Sequence, residues 1–386
     1  MPDMGEETEI QVVASIGEIE AAAWDACAGS ANPTVSHAFL SALEDSGSVT
    51  AETGWQPQHL VVRDPSGRVA ACAPLYLKSH SYGEYVFDWG WADAYERAGG
   101  RYYPKLQSSV PFTPVTGPRL LVRADADPGL ADVLIAGMTG LCRQLGVSSV
   151  HITFPNEDEW RRFGNAGLQL RTGEQFHWRN DGYATFDDFL AALSSRKRKN
   201  IAKERRKVAE SGLDIRCLTG KDLTEDIWDH FFRFYLDTSD RKWGQAYLNR
   251  TFFSLLGERM ADRVMLVTVF DAGEPVAAAL NLIGSEILYG RNWGSVVDVP
   301  FLHFECCYYQ AIDFAIRRGL SGVEAGAQGP HKLQRGYLPT RTYSAHWIRD
   351  PRLRDAIEDF LARERIAVDS EISYLGKHSP FRDTEG

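Results

Sequence analysis

The densest concentration of residues able to do chemistry is the stretch Gln328-Gly329-Pro330-His331-Lys332-Leu333-Gln334-Arg335. An imidazole titrates near neutrality, so His331 can take a proton from an amine at working pH. Lys332 and Arg335 stand three apart and share one face of a helical turn, where two cations can hold a phosphate or a developing oxyanion. His331, Lys332 and Arg335 are therefore the candidate catalytic residues, with Gln328 as a polar contact to substrate. Gly326, Gly329 and Gly336 permit backbone conformations that other residues avoid. A strand is expected just before, over 322–325, and ligands of open α/β sheets bind beyond the carboxyl ends of strands. The competing reading is a polar surface turn with an exposed histidine.

Other residues stand out by type and setting. Arg291, Asn292 and Trp293 end an expected strand. Glu305 lies on a helix otherwise rich in Phe, Tyr, Cys and Ile, where a carboxylate is costly to bury unless paired. A structural ion pair with Arg291 or His303 is one reading, and a base with a raised pKa the other. Asp88, flanked by Phe87 and Trp89, poses the same question. The segment 92–120 is rich in Tyr, Pro and Gly and carries Tyr103 and Lys105, a composition suited to an acceptor pocket or lid. Arg196, Lys197, Arg198, Lys199, Lys203 and Arg206 belong to a basic helix over 196–207 with eight cations against one Glu. Such a run is either a solvated face or a binding patch for a polyanion.

The elements that position these residues come in two similar sets. Apolar strands flank Asp64-Pro65-Ser66-Gly67 and again Asp271-Ala272-Gly273, which reads as a hairpin in each half. Trp89-Gly90 pairs with Trp293-Gly294 at an offset of 293 − 89 = 204. Gly146 and Gly319, each after a long helix, are offset by 319 − 146 = 173. Gly167-Leu168 pairs with Gly336-Tyr337, and His177-Trp178 with His346-Trp347, both offset by 169; Asp188-Phe189-Leu190 pairs with Asp359-Phe360-Leu361 at 171. Ordered markers of this kind indicate an internal duplication. The first copy then holds 204 − 173 = 31 extra residues, at about 92–120. The boundary falls at 182/183. A long helix between strands in each copy makes part of each sheet parallel. Arg162 and Phe163 stand 169 residues before His331 and Lys332, so the fold alone does not demand the cluster.

Composition limits the alternatives. The chain has 386 residues and a formal net charge of −10, which argues against general nucleic-acid binding outside a local basic patch. No apolar run reaches the length of a membrane span, and the acidic start, 1–10, lacks the pattern of a secretory signal, so a cytoplasmic location is expected. Cys27, Cys72, Cys142, Cys217, Cys306 and Cys307 form no C-x-x-C pair and no zinc spacing, so reduced structural cysteines and no metal are expected. There is no G-x-S-x-G elbow and no P-loop.

The order of elements resembles the GNAT acyltransferase fold, and its duplication resembles the Fem-type aminoacyltransferases. The chain is more similar still to the FemAB-like, peptidoglycan biosynthesis/recognition family of N-acyltransferases. Residues 36–40 (SHAFL), 87–89 (FDW), 103–106 (YPKL), 111–115 (PFTPV), 196–206 and 326–336 carry that resemblance. It implies two tandem GNAT-like α/β modules with mixed sheets, 1–182 and 183–386. It implies a donor groove lined by Arg291 and Asn292, and a basic segment, 196–207, that meets aminoacyl-tRNA. The usual pyrophosphate loop should precede Leu302, but residues 295–300 (SVVDVP) hold no glycine, which disfavours acetyl-CoA. The reading is direct transfer of an aminoacyl group to the amine of a cell-wall precursor or small metabolite, without a tightly bound cofactor. Acyl-CoA is the alternative donor, and a non-catalytic binder of cell-wall precursors the alternative class.

Overall fold

The computed structural model describes residues 9–242, 246–327 and 329–382. Its two hairpins form where turn chemistry demands them. Strands β3 (His59–Arg63) and β4 (Val69–Ala73) are joined by a turn in which the Asp64 carboxylate accepts from the Ser66 and Arg68 amides at 3.0 and 3.1 Å. Strands β11 (Val264–Asp271) and β12 (Glu274–Ile283) turn on Ala272 and Gly273, at φ 49° and 92°. Positive φ at both central residues matches the twist of the flanking strands.

The chain divides into two units, and not by a single cut near residue 182. The first holds the chain up to Ser30, 34–173 and 342–367; the second holds 31–33, 174–341 and 368 onward.

The first unit begins with β1 (Ile10–Val13), α1 (Ala21–Ala28), α2 (His37–Asp45) and β2 (Trp55–Pro57). After the first hairpin come β5 (Tyr76–Lys78), α3 (Trp89–Arg97), β6 (Lys105–Ser108) and β7 (Leu121–Val122). Helix α4 (Leu130–Leu145), β8 (Ser149–Thr153) and α5 (Glu157–Asn165) follow, then β9 (Gln169–Arg179), which runs into the second unit. Helix α4 buries Leu134, Ile135, Met138, Leu141 and Cys142, one stripe at helical spacing, against the sheet residues Leu60, Leu106, Val150 and Ile152. It carries the chain from β6 to β8, and those two strands are parallel: Leu106 pairs with Val150 and Ser108 with Ile152.

The second unit repeats this plan. Its further elements are α6 (Phe186–Ala192), α7 (Ser195–Ala209), β10 (Asp214–Leu218), α8 (Glu225–Lys242) and α9 (Arg250–Met260). After the second hairpin come β13 (Ile287–Ser295), α10 (Leu302–Phe304), a π-helical turn (Glu305–Tyr309), α11 (Gln310–Arg317) and β14 (Gly322–Glu324). Strands β13 and β14 are parallel, with Leu288 opposite Val323. The chain ends its described part with β15 (Leu338–Ile348) and α12 (Pro351–Gly376).

The registers give the internal equivalence directly. Leu106 faces Val150 as Leu288 faces Val323, so β6 matches β13 and β8 matches β14. The Trp-Gly marker therefore fails: Trp89 opens helix α3, whereas Trp293 lies in β13. The extra residues of the first copy lie on both sides of β6 rather than in one block at 92–120. The other markers hold: β9 and β15 are both 11 residues long and start 338 − 169 = 169 positions apart. These two strands are exchanged. In the first unit β8 pairs with β15, His151 opposite His346, and in the second β14 pairs with β9, Glu324 opposite His177.

Among the described residues no helix is long and apolar enough to cross a membrane, no group of His, Cys, Asp or Glu could hold a metal ion, and all six cysteines are free.

Candidate functional site

In the second unit β13 and β14 part company. Their pairing ends at Tyr289 opposite Glu324, but β13 runs on to Ser295. A side chain at Gly290 would press on the Glu324 carbonyl at 3.3 Å, which explains a glycine where the strands are still close. Past the divergence lies a cavity of about 700 Å³, lined by Trp293, Ser295, Asp298, Leu302 and His303 together with Asp237 of α8. It sits at the carboxyl end of a parallel strand, where a sheet of this type holds ligands.

The floor beside it is set by an unusual helix. Phe301 takes φ 70° at the start of α10, and the helix then passes through the π turn Glu305–Tyr309 before α11. The wider turn aims three neighbouring side chains at three partners. Tyr308 reaches His331, its hydroxyl 2.8 Å from Nε2. The Tyr309 hydroxyl donates to Glu204, and Glu305 pairs with Arg205 at 3.0 Å and accepts from Gln310 at 2.8 Å. Burial holds the Tyr308 phenol well above its ordinary range, so it stays protonated.

His331 lies on a 3₁₀ turn (Pro330–Arg335), exposed to solvent yet fixed by Tyr308. Its ring packs 5.7 Å from Phe304 and 6.3 Å from His303, which lines the cavity. Gly329 is required here: at φ 122° an added Cβ would meet the His331 ring at 2.6 Å. A base whose ring is oriented by a second group is the usual arrangement for proton transfer.

The neighbours of His331 do not play the parts expected of them. The Lys332 ammonium is buried and donates to the Ala325 and Gly326 carbonyls at 2.7 and 2.9 Å, so it staples the glycine loop instead of gripping an anion. Burial lowers its pKa to about 8. Arg335 is likewise enclosed: it donates to the His331 carbonyl at 2.8 Å, pairs with Glu204 at 2.9 Å and lies 3.4 Å over the Phe304 ring. Both cations hold the backbone of His331 in place. Glu305 has the structural role, although its partner is Arg205 and not Arg291 or His303. Gln328 lies outside the described residues.

Arg291, Asn292 and Trp293 do lie on the diverging end of β13, with Trp293 5.6 Å from His303. Asp88, Trp89, Tyr103 and Lys105 belong to the first unit and are not part of this constellation. There, Lys105 is fully buried and donates to Glu84 at 2.7 Å and Asp88 at 2.5 Å. The Tyr102 hydroxyl donates to Asp88 at 2.7 Å, and His151 contacts His346 at 2.7 Å. Burial pushes Glu84 up to about 7 and His151 down to about 3.

The basic helix is α7, as expected. Arg196, Lys199, Lys203 and Arg206 are exposed, and Lys197 and Arg198 are half-buried, Lys197 donating to Gln334. Among the described residues Arg196, Arg198, Lys199, Lys203 and Arg206 pair with no carboxylate, while Glu204 and Arg205 of the same helix face Arg335 and Glu305. Tyr308 and Glu204 carry no sequence signal, and His303 is legible only as a possible partner of Glu305. Tyr308 sits in the run Glu-Cys-Cys-Tyr-Tyr, which reads as plain core, and only the π turn separates the directions of Tyr308 and Tyr309.

A parallel strand pair joined by a crossover helix, present in both units and diverging at its carboxyl end in the second, is the architecture of a tandem GNAT-type fold. The family model for FemAB-like proteins, described as peptidoglycan biosynthesis/recognition, matches residues 15–383, so the chain belongs to the FemAB-like family. The structure of FemX is similar at 12% identity and a TM-score of 0.55, covering 91% of this chain and 100% of that one. The C-terminal domain of a putative lysylphosphatidylglycerol synthetase from Agrobacterium fabrum is similar at 10% identity and a TM-score of 0.54, covering 89% and 96%. The structure of L-PGS from Bacillus licheniformis is similar at 10% identity and a TM-score of 0.52, covering 86% and 98%. No curated protein matches the chain in sequence.

Proposed function

We propose that the protein is an N-acyltransferase that passes an aminoacyl group from aminoacyl-tRNA to the amine of a cell-wall precursor, with His331 as general base. The observation that carries this reading is the Tyr308–His331 pair at 2.8 Å, one ring contact from a cavity beyond the divergent strands β13 and β14. The amine nitrogen attacks the ester carbonyl, its proton passes to His331, the amide bond forms, and the ester bond breaks with the proton returned to the departing ribose hydroxyl. Tyr308 fixes the imidazole, and Lys332 and Arg335 fix the backbone that bears it, so alignment is set before substrate arrives.

Two features support this donor. Residues 296–301 between β13 and α10 contain no glycine and end in the left-handed Phe301, a poor cradle for a pyrophosphate. Helix α7 offers exposed cations to a phosphate backbone. The test is transfer of radiolabelled amino acid from charged tRNA to a soluble muropeptide, beside acetyl-CoA with the same acceptor. His331→Ala should lower kcat about a hundredfold or more, the range typical of a lost general base. Turnover with acetyl-CoA alone moves the donor to acyl-CoA. No turnover with either donor leaves a binding protein, and an unaffected His331→Ala enzyme removes the assigned base.

A further inference from the structure

The first unit spends three buried charges on one surface loop. The Lys105 ammonium donates its three protons to Ser81 at 2.8 Å, Glu84 at 2.7 Å and Asp88 at 2.5 Å, three points of the single segment 81–88. Lys78, 3.5 Å over the Trp55 ring, donates to the Tyr82 carbonyl at 3.2 Å. Tyr103 is bonded to Ser81 at 2.8 Å, and Arg171 donates to the Phe87 carbonyl at 2.8 Å. Gly83 packs so closely that an added Cβ would stand 2.5 Å from the Phe112 ring, and Tyr85 is held at φ 61°, a conformation a tyrosine avoids. Ion pairs removed from water and a strained tyrosine are costly, and such costs persist where the surroundings fix a geometry that is used.

What this scaffold presents outward is aromatic. Tyr82, Phe87 and Trp89 are 57%, 49% and 46% exposed. They form one cluster, with Tyr82 to Trp89 at 5.8 Å and Phe87 to Trp89 at 5.5 Å, and His80 adjoins Tyr82 at 5.2 Å. Among the described residues Trp89 is the one exposed tryptophan. A contiguous aromatic patch held rigid marks an interaction site.

We propose that Tyr82, Phe87 and Trp89 form a stacking platform for the pyranose rings of an N-acetylated cell-wall glycan. The choice of a glycan rests on the acyl-transfer reading above; the platform itself does not. Charge selects this occupant. The exposed ionic side chains that follow, Asp93, Glu96, Arg97 and Arg101, balance to zero, so nothing there draws a phosphate chain or an anionic membrane. An uncharged ring with an apolar face matches rigid aromatic faces without a charge to neutralise.

The experiment titrates the full chain with chitotetraose, read by saturation-transfer NMR and tryptophan fluorescence, in the absence of any donor. Saturation should reach the sugar-ring and acetamido protons. Trp89→Ala and Phe87→Ala should each weaken binding by about tenfold with unchanged circular dichroism, as expected for losing one aromatic face. Lys105→Met, which frees the loop, should weaken binding while leaving the three rings present. His331→Ala should bind the sugar normally, which separates failure of the platform from failure of the catalytic reading. No binding by the wild-type chain, or binding untouched by Trp89→Ala and Phe87→Ala, overturns the platform. Trp89-dependent binding of a single-stranded oligonucleotide or of phosphatidylglycerol vesicles, in place of the sugar, overturns the assignment to glycan.

Discussion

The same strand pair has met opposite fates in the two units. In the second, β13 and β14 diverge after Tyr289 and leave a cavity of about 700 Å³ beside His303 and the Tyr308–His331 pair. In the first, β6 and β8 lie against a closed network in which Lys105, Asp88, Tyr102, His151 and His346 are all nearly inaccessible. The equivalent positions are enclosed in both units, Glu324 opposite His177 in one and His151 opposite His346 in the other, so the contrast lies beyond them, at the diverging end of β13. Titratable groups with access can move protons to a substrate, and titratable groups without it are framework. The fold supplies the place, and access decides which copy can use it.

The largest expected effect tests whether the first network is framework. Lys105→Met leaves Asp88 buried without its lysine and Glu84 with Lys78 alone, at 3.9 Å, and breaking a buried pair from one side typically costs about 3–5 kcal/mol. Urea unfolding should show that loss. The counterpart change in the second unit, Arg205→Met, should cost much less, because Arg205 is 29% exposed. Equal losses would erase the contrast.

A middle-sized effect comes from acid. Burial holds His151 and His177 down to about 3 and His346 well below the usual imidazole range. Between pH 6.5 and that lower limit the unfolded chain binds protons that the folded chain refuses. Stability is therefore full above pH 6.5 and falls as pH drops, by about 1.4 kcal/mol per pH unit for each histidine. Replacing His177 by Gln should remove one such contribution and His151 by Gln another; denaturant midpoints measured from pH 7 to 4 check both. A slope that neither variant changes would show that other groups govern acid sensitivity.

The smallest effect on stability, and the sharpest on binding, belongs to α7. Arg196, Lys199 and Lys203 are exposed, so changing all three to Ala should leave stability nearly unaltered. The log–log slope of tRNA binding against salt should shrink by about 2 to 3. An unchanged slope would remove tRNA from this helix.

The fold was more legible in the sequence than the site. Hairpin turns, helix α4 and the strands β9 and β15 announce themselves through turn residues, apolar spacing and the paired Gly and His-Trp markers. Trp89-Gly90 misled because two residues alone do not say strand or helix, and Trp89 begins α3. At the site, His331 was readable as an imidazole beside glycines. For Lys332 and Arg335 the sequence shows a charge and not the carbonyls and carboxylate that engage it. Tyr308 was invisible because a π turn, rather than residue type, aims it.

The exchange of β9 and β15 bears on synthesis. A ribosome that has reached residue 182 has made every helix and strand of the first copy but not β15, whose residues 344–348 bond to β8. The β8 edge of the first unit must wait unpaired until residue 348 has been translated, whereas β14 of the second unit finds β9 already made when it emerges.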